Sequence, residues 1–184
     1  MPRRNNDPRR SVSTSADGFT LIELLVVVTV IGILAGLAVP TLLRARITAN
    51  EAAAIGSVRA INTGESAYAA SAAAGSYATQ LSVLVLSCPG GTIGFISTDL
   101  ATDPSQKSGY VIELGPGTAA VGTTDCNGTP SRAGYYLTAV PVSIGLTGHR
   151  GFATSGRGVI FADASGAPPT EAEMAPGGGG DPIQ

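Results

Sequence analysis

An almost uncharged apolar run near the amino end constrains this chain more than any other feature. Residues 19–39 read FTLIELLVVVTVIGILAGLAV, and Glu23 carries the only charge among them. At a helical rise of about 1.5 Å per residue, the run is roughly 31 Å long, which matches the hydrocarbon thickness of a bilayer. A surface helix of a soluble domain has a polar face at the helical period, and this run has none. The sequence therefore predicts a membrane-spanning helix over residues 19–39.

Glu23 is the residue in this run that needs an explanation, because an acid at the centre of a membrane helix costs about 2.5 to 3.5 kcal/mol on insertion scales. It lies one helical turn after Phe19, close to the start of the run. One interpretation is an interfacial acid that reaches the headgroups or becomes protonated. The other is an acid that pairs with a cation on a partner chain, and the sequence before the run favours it.

Residues 1–18 resemble a processing leader. They are polar, include two prolines and show no apolar period, so the segment is predicted to be disordered. The string GFTLIE, from Gly18 to Glu23, resembles the cleavage and methylation site of type IV prepilins and type II secretion pseudopilins. The matching features are the glycine before the cut, Phe19 after it, the acid at the fifth mature position and Pro40 at the twenty-second.

The resemblance implies a processing and assembly chemistry. A membrane aspartyl peptidase, the prepilin peptidase, would cleave between Gly18 and Phe19 and methylate the new amino group of Phe19, leaving 184 − 18 = 166 residues. Identical or homologous subunits would then polymerise through the helix at an inner-membrane assembly platform, with Phe19, Glu23 and Pro40 as assembly residues. Because the Phe19 ammonium of one subunit can meet Glu23 of a neighbour, pairing offsets much of the cost of burying two charges.

The helical pattern continues beyond the membrane run. Pro40 is predicted to kink the helix, and residues 40–75 form its amphipathic continuation, with Gly75 as the stop. One helix is therefore predicted from residue 19 to residue 74. The predicted apolar face of its second half consists of Leu43, Ile47, Ala54, Val58, Ile61, Tyr68 and Ala72.

Residues 76–167 contain short apolar runs interrupted by glycine and proline, which indicates a small β-rich head. Strands are predicted over residues 110–114, 119–122, 135–142 and 159–162, as an antiparallel meander; residues 81–86 fit a short helix or a strand. Since the amphipathic half of the helix needs an apolar partner, the fold class is α+β: a long helix packed on an antiparallel sheet, as in pilins. Residues 168–184 are of low complexity and are predicted to be disordered.

Cys88 and Cys126 are the two cysteines of the chain, and both lie in the predicted head. A disulfide between them would close 126 − 88 = 38 residues of chain and would persist in an oxidising compartment. The alternative is a pair of free, buried thiols.

No arrangement of residues indicates catalysis. His149 is the single histidine, and no strained G-x-S-x-G elbow is present. The two cysteines and one histidine do not have a zinc spacing, so no metal or cofactor is predicted. Asp125, Asn127 and Asp163 suit turns better than calcium. The net charge of −2 and the lack of a basic patch give no indication of nucleic-acid binding.

The predicted function is a structural subunit of a type IV pilus-like filament and not an enzyme. The leader arginines (Arg3, Arg4, Arg9 and Arg10) favour a cytoplasmic amino end. The subunit would therefore cross the inner membrane once, with a periplasmic head, before it enters a periplasmic or cell-surface filament.

Three alternatives remain open at this point. The first is a pseudopilin of a type II secretion system. The predicted disulfide and the head pattern favour a pilin over this alternative. The others are a secreted protein whose signal peptide is cut near residues 36–38, and a membrane-anchored domain that never polymerises.

Overall fold

The computed structural model describes residues 18–183; the predicted leader, residues 1–18, lies outside the described residues except for Gly18. The described chain divides after Pro40 into two units. Its elements, in order, are helices α1 (Leu21–Ser71) and α2 (Leu81–Leu84), a 3-10 turn (Thr98–Leu100), and strands β1 (Ser105–Lys107), β2 (Tyr110–Gly115), β3 (Val121–Thr124), β4 (Pro130–Arg132), β5 (Tyr136–Pro141), β6 (Gly151–Ser155), β7 (Ile160–Asp163) and β8 (Asp181–Ile183).

The described part of the first unit consists of the start of α1 and the three residues before it. Every residue from 18 to 40 is exposed, and the large apolar side chains range from 50% exposure at Val30 to 87% at Phe19. Among the described residues, α1 is the one helix long and apolar enough to cross a membrane. The predicted helix over 19–74 thus corresponds to α1 over 21–71. Pro40 lies inside α1, and the predicted kink at this residue stays a prediction.

The second unit contains a six-stranded antiparallel sheet in the order β1-β2-β5-β6-β7-β8. Neighbouring strands of this sheet follow one another in chain order, which confirms the predicted meander. The one interruption is in the sequence, where a separate hairpin of β3 and β4 lies between β2 and β5. The strands predicted around residues 110–114, 135–142 and 159–162 are confirmed as β2, β5 and β7, and the one over 119–122 is displaced to β3. Pro141 ends the central strand β5, opposite Tyr110.

The core of the second unit lies between the second half of α1 and one face of this sheet. Val58 and Ile61 are fully buried and belong to the same apolar cluster as Ile112, Leu137 and Phe152. The predicted α+β fold, a long apolar helix packed with an antiparallel sheet, is therefore confirmed. The predicted apolar face of α1 is buried from Ile47 onward. Leu43, one helical turn before Ile47, is 41% exposed, so the buried part of the face begins later than predicted.

The carboxyl-terminal segment departs from prediction, because residues 168–183 are ordered and not a disordered tail. Strand β8 pairs with β7, with Ile183 opposite Ile160, and Met174 is 5% exposed. The Tyr136 hydroxyl donates a hydrogen bond of 2.8 Å to the Pro169 carbonyl. The glycines and prolines that suggested disorder provide turns here, so that a few apolar side chains of this segment pack on the sheet.

Candidate processing and assembly site

The predicted cleavage position lies just before the helix. Gly18, Phe19 and Thr20 have irregular, exposed backbone, and α1 begins at Leu21. A peptidase needs a peptide bond that is accessible and free of helical hydrogen bonding, and the bond between Gly18 and Phe19 meets both conditions. A Cβ atom on Gly18 would meet nothing within 4 Å, so packing within the chain does not require a glycine at this position.

Thr20 and Glu23 form a capping box at the start of α1, which the sequence interpretation missed. The Glu23 carboxylate oxygen Oε2 accepts a hydrogen bond of 3.0 Å from the Thr20 backbone N–H and one of 2.7 Å from its hydroxyl. In return, the Glu23 N–H donates to Thr20 Oγ1 at 3.3 Å. The pattern Thr-x-x-Glu is the standard signature of this motif, so the signal was available in the sequence.

The capping box gives Glu23 a role within its own subunit. A negative side chain in the first helical turn satisfies backbone donors and interacts favourably with the positive end of the helix dipole. An acid at this position is therefore explained without a partner chain. A test of the predicted intersubunit role of Glu23 must for that reason separate its charge from its capping function.

The two cysteines form the disulfide that the sequence predicts. Cys88 and Cys126 are bonded, with their Cα atoms 5.5 Å apart and 38 residues of chain between them. The bond joins the segment after α2 to the β3–β4 hairpin loop. The alternative of two free thiols is wrong, because the described chain has no free cysteine.

Asp125, beside the disulfide, connects the hairpin loop to α1. Its Oδ2 accepts a hydrogen bond of 3.0 Å from the buried Tyr68 hydroxyl, while Oδ1 accepts the N–H groups of Asn127 at 2.9 Å and Thr129 at 2.6 Å. Burial and the Asp125 carboxylate raise the pKa of Tyr68.

The calcium alternative for Asp125, Asn127 and Asp163 gains no support. Asp163 accepts the Ser165 N–H at 2.7 Å, so both aspartates have the turn role that was favoured. Within residues 18–183 there is no cluster of three or more histidine, cysteine, aspartate or glutamate side chains that could hold a metal ion.

Glu51 connects α1 to the β5–β6 loop (residues 142–150), a role that the sequence did not reveal. Its carboxylate accepts the His149 N–H at 2.9 Å and pairs with the Arg150 guanidinium, whose Nη2 is 2.9 Å from Oε2. Burial raises the pKa of Glu51, but the hydrogen bonds from His149 and Arg150 and the charge of Arg150 outweigh it and lower this pKa below its ordinary value. The lone histidine is an exposed loop residue, and its backbone contributes to this connection.

Glu65, the second buried carboxylate of α1, has a different environment. Its side chain is fully buried, Oε2 accepts the Ala78 N–H at 3.0 Å, and Oε1 has no hydrogen-bond partner among the described residues. Burial raises the pKa of Glu65 to about 8, opposed by the Ala78 hydrogen bond. Burial therefore favours the protonated form of Glu65 in the folded head.

Comparison with known families supports the interpretation of the amino-terminal segment. Residues 14–39 match the model of the prokaryotic N-terminal methylation motif, which is the prepilin-type signature of type IV pilins and pseudopilins. No curated protein and no solved structure matched the chain in the other two comparisons.

The motif supports a type IV pilin-like or pseudopilin-like subunit, and the family that carries this motif is structural rather than catalytic. In this class the motif implies processing by prepilin peptidase and assembly into pilin-like filaments. The apolar start of α1 fits a chain that is anchored in a membrane before it assembles.

Proposed function

We propose that this chain is the precursor of a structural subunit of a type IV pilus-like filament. Prepilin peptidase cleaves it between Gly18 and Phe19 and methylates the new amino terminus. The mature subunit then polymerises through the apolar half of α1, and the Phe19 ammonium of one subunit pairs with Glu23 of another.

The observation that carries this proposal is the methylation motif joined to an apolar helical surface that no other part of residues 18–183 covers. Every large apolar side chain from Phe19 to Leu42 is at least half exposed. Such a surface is stable in lipid before assembly and against other copies of the same helix afterwards. If the segment were an ordinary signal peptide cut near residues 36–38, cleavage would remove most of this surface. It would also remove Glu23, the acid that the motif requires at the fifth mature position.

The proposed orientation places the head on the periplasmic side. Its support is the four leader arginines, which favour a cytoplasmic amino end, and the Cys88–Cys126 disulfide, which persists in an oxidising compartment. A pseudopilin of a type II secretion system has the same processing and the same orientation. Deletion of the gene separates the two: loss of surface filaments marks a pilin, and loss of an exported protein marks a pseudopilin.

Mass spectrometry of the amino-terminal peptide from a membrane fraction tests the processing step. We expect the mature chain to begin at Phe19 with a methylated amine. In a strain without prepilin peptidase the same peptide should retain residues 1–18. A mature start near Val39 would contradict the proposal in favour of an ordinary signal peptide, and an intact Met1 would leave an unprocessed membrane anchor.

A further inference from the structure

The β3–β4 hairpin loop (residues 125–129) holds the one Asn-Gly pair of the sequence, Asn127–Gly128. An asparagine before glycine is prone to spontaneous deamidation, because glycine has no side chain to hinder its nitrogen. The Gly128 nitrogen attacks the Asn127 side-chain carbon Cγ, an N–Cγ bond forms, and the amide nitrogen leaves as ammonia with the Gly128 proton. Water then opens the cyclic imide to aspartate or isoaspartate. Asn127 is exposed, so water reaches the group that reacts.

Two hydrogen bonds hold both reacting groups in the folded loop. The Gly128 N–H donates to the Asp125 backbone carbonyl at 3.0 Å, and the Asn127 side-chain Nδ2 donates to the Ser87 carbonyl at 3.3 Å. The first bond retains the proton that the nitrogen must lose, and the second holds the amide toward the segment after α2. Deamidation therefore requires the loop to open locally, and its rate follows the fraction of molecules in which the loop is open.

The disulfide keeps the two segments of this loop contact together. Cys88 directly follows Ser87, and Cys126 directly precedes Asn127, so the covalent bond lies one residue from the hydrogen bond on each side. When the disulfide is open, the Ser87 carbonyl and the Asn127 amide are separated by 40 residues of chain with no covalent link between them. Opening the disulfide should therefore raise the open fraction of the loop more than that of the rest of the head.

We infer that Asn127 is a modification site of the head, which the Cys88–Cys126 disulfide protects from deamidation. A chain in which this bond is open acquires an extra negative charge at residue 127, and the change is permanent. An isoaspartate product also adds one carbon to the main chain between the N–H groups of Asn127 and Thr129, which both donate to Asp125 Oδ1. The modified loop then loses this turn.

Peptide mass spectrometry of the full chain in detergent tests the protection. Trypsin releases residues 108–132, in which Asn127 is the one asparagine and glutamine is absent, so the exchange of NH₂ for OH is assigned to this residue. Samples are held at neutral pH as oxidised protein, as reduced protein, and as reduced protein in urea. We expect the oxidised sample to deamidate at least about tenfold more slowly than the urea sample, since two hydrogen bonds must break. The reduced sample should approach the urea rate.

A matched control separates local opening from unfolding of the whole head. Leu137→Ala creates a cavity at a fully buried position and destabilises the head while the disulfide stays closed. The Cys88→Ser/Cys126→Ser double variant should deamidate several-fold faster than Leu137→Ala, at urea concentrations that give both the same free energy of unfolding. Asp125→Ala, which keeps the disulfide but removes the side-chain acceptor that orders the loop, should also exceed Leu137→Ala, and this comparison does not need the double variant to fold.

Three results would overturn the inference. The absence of a mass change in urea would show that Asn127 is not a modification site. Equal rates in the oxidised and urea samples would show that the folded loop gives no protection. Equal rates in Leu137→Ala and in the loop variants, at equal free energy of unfolding, would show that unfolding of the whole head controls the reaction rather than the disulfide-bonded loop.

Discussion

The two halves of the single helix α1 differ in whether the rest of the chain covers their apolar side chains. From Phe19 to Leu43 the large apolar side chains are exposed, whereas from Ile47 to Tyr68 one face is buried against the sheet and the other is polar. Helical backbone bonding is the same in both halves, so it does not decide which side chains are covered. The second half packs on apolar partners within the chain, and in the proposed function the first half packs in lipid and against other copies.

The three glutamates of α1 also differ in their environments. Glu23 is exposed and caps its own helix, Glu51 is paired with Arg150, and Glu65 is buried with one unpartnered oxygen. These environments predict different consequences when each carboxylate is changed. Substitutions in the second half should alter the stability of the head, and substitutions at Glu23 should alter assembly.

The largest effect on the head is expected from loss of the disulfide. Cys88→Ser, Cys126→Ser and the double variant should each lower the free energy of unfolding of the head by about 4 kcal/mol, since all three open the same closed loop. Near-ultraviolet circular dichroism of the tyrosines reports this unfolding directly, because all five lie between residues 68 and 136 and the chain has no tryptophan.

Membrane insertion should be unchanged in the same variants, as judged by resistance to alkaline extraction. Insertion depends on the first half of α1, which the disulfide does not touch. A double variant as stable as the wild type, or a single variant that fails to insert, would contradict the proposed division between the two halves.

The buried carboxylate Glu65 should make the stability of the head dependent on pH. Because its folded-state pKa is raised from 4.5 to about 8, the folded head keeps a proton that the unfolded chain loses in this interval. The contribution of Glu65 is fully present below about pH 4.5 and is lost as the pH rises toward 8. The free energy of unfolding should fall by up to about 1.4 kcal/mol per pH unit in this window.

Unfolding by urea at several pH values, followed by the tyrosine signal, measures this slope, and Glu65→Gln should remove it. Glu51→Gln is the matched control, because the pKa of Glu51 is lowered and its stabilisation is lost as the pH falls below the ordinary range. An unchanged slope in Glu65→Gln would show that Glu65 is ionised in the folded head.

The smallest expected effects concern two glycines on the second half of α1. A Cβ atom at Gly64 would lie 2.5 Å from Ile96 Cγ2 and 2.9 Å from the Phe95 carbonyl oxygen, whereas at Gly56 it would meet nothing within 4 Å. Gly64→Ala should therefore destabilise the head by about 1 to 3 kcal/mol, because the clash includes backbone. Gly56→Ala should stabilise it by about 0.5 to 1 kcal/mol through helix propensity. Equal effects of the two substitutions would contradict this packing.

The sequence predicts best where one periodic pattern decides the structure. The helix, strands β2, β5 and β7 and the Cys88–Cys126 pair follow from apolar spacing, β-branched and aromatic composition, and the number of cysteines. Strand β6, with the sequence GFATS, was missed because its glycine and small side chains give no strand signal.

The remaining errors have a common physical cause, which is that tertiary contacts override local pattern. Glu51 and Glu65 lie outside the predicted apolar face of α1, and only contacts from other parts of the head show that they are buried. The carboxyl-terminal segment has a composition typical of disorder, yet it packs because Tyr136 and strand β7 provide its partners. The capping role of Glu23, in contrast, follows from the local pattern Thr-x-x-Glu and is predictable from sequence.

The most direct test of the proposed assembly compares Glu23→Val with Glu23→Gln. Valine removes both the charge and the cap, whereas glutamine keeps the side-chain acceptor of a capping box and removes only the charge. Filament yield is measured by shearing and immunoblotting, at equal levels of subunit that begin at Phe19. We expect both variants to insert and to be cleaved normally, and neither to assemble efficiently. Wild-type filament yield from Glu23→Gln would contradict it, because Glu23 would then act as a helix cap and not as the partner of a neighbouring Phe19 ammonium.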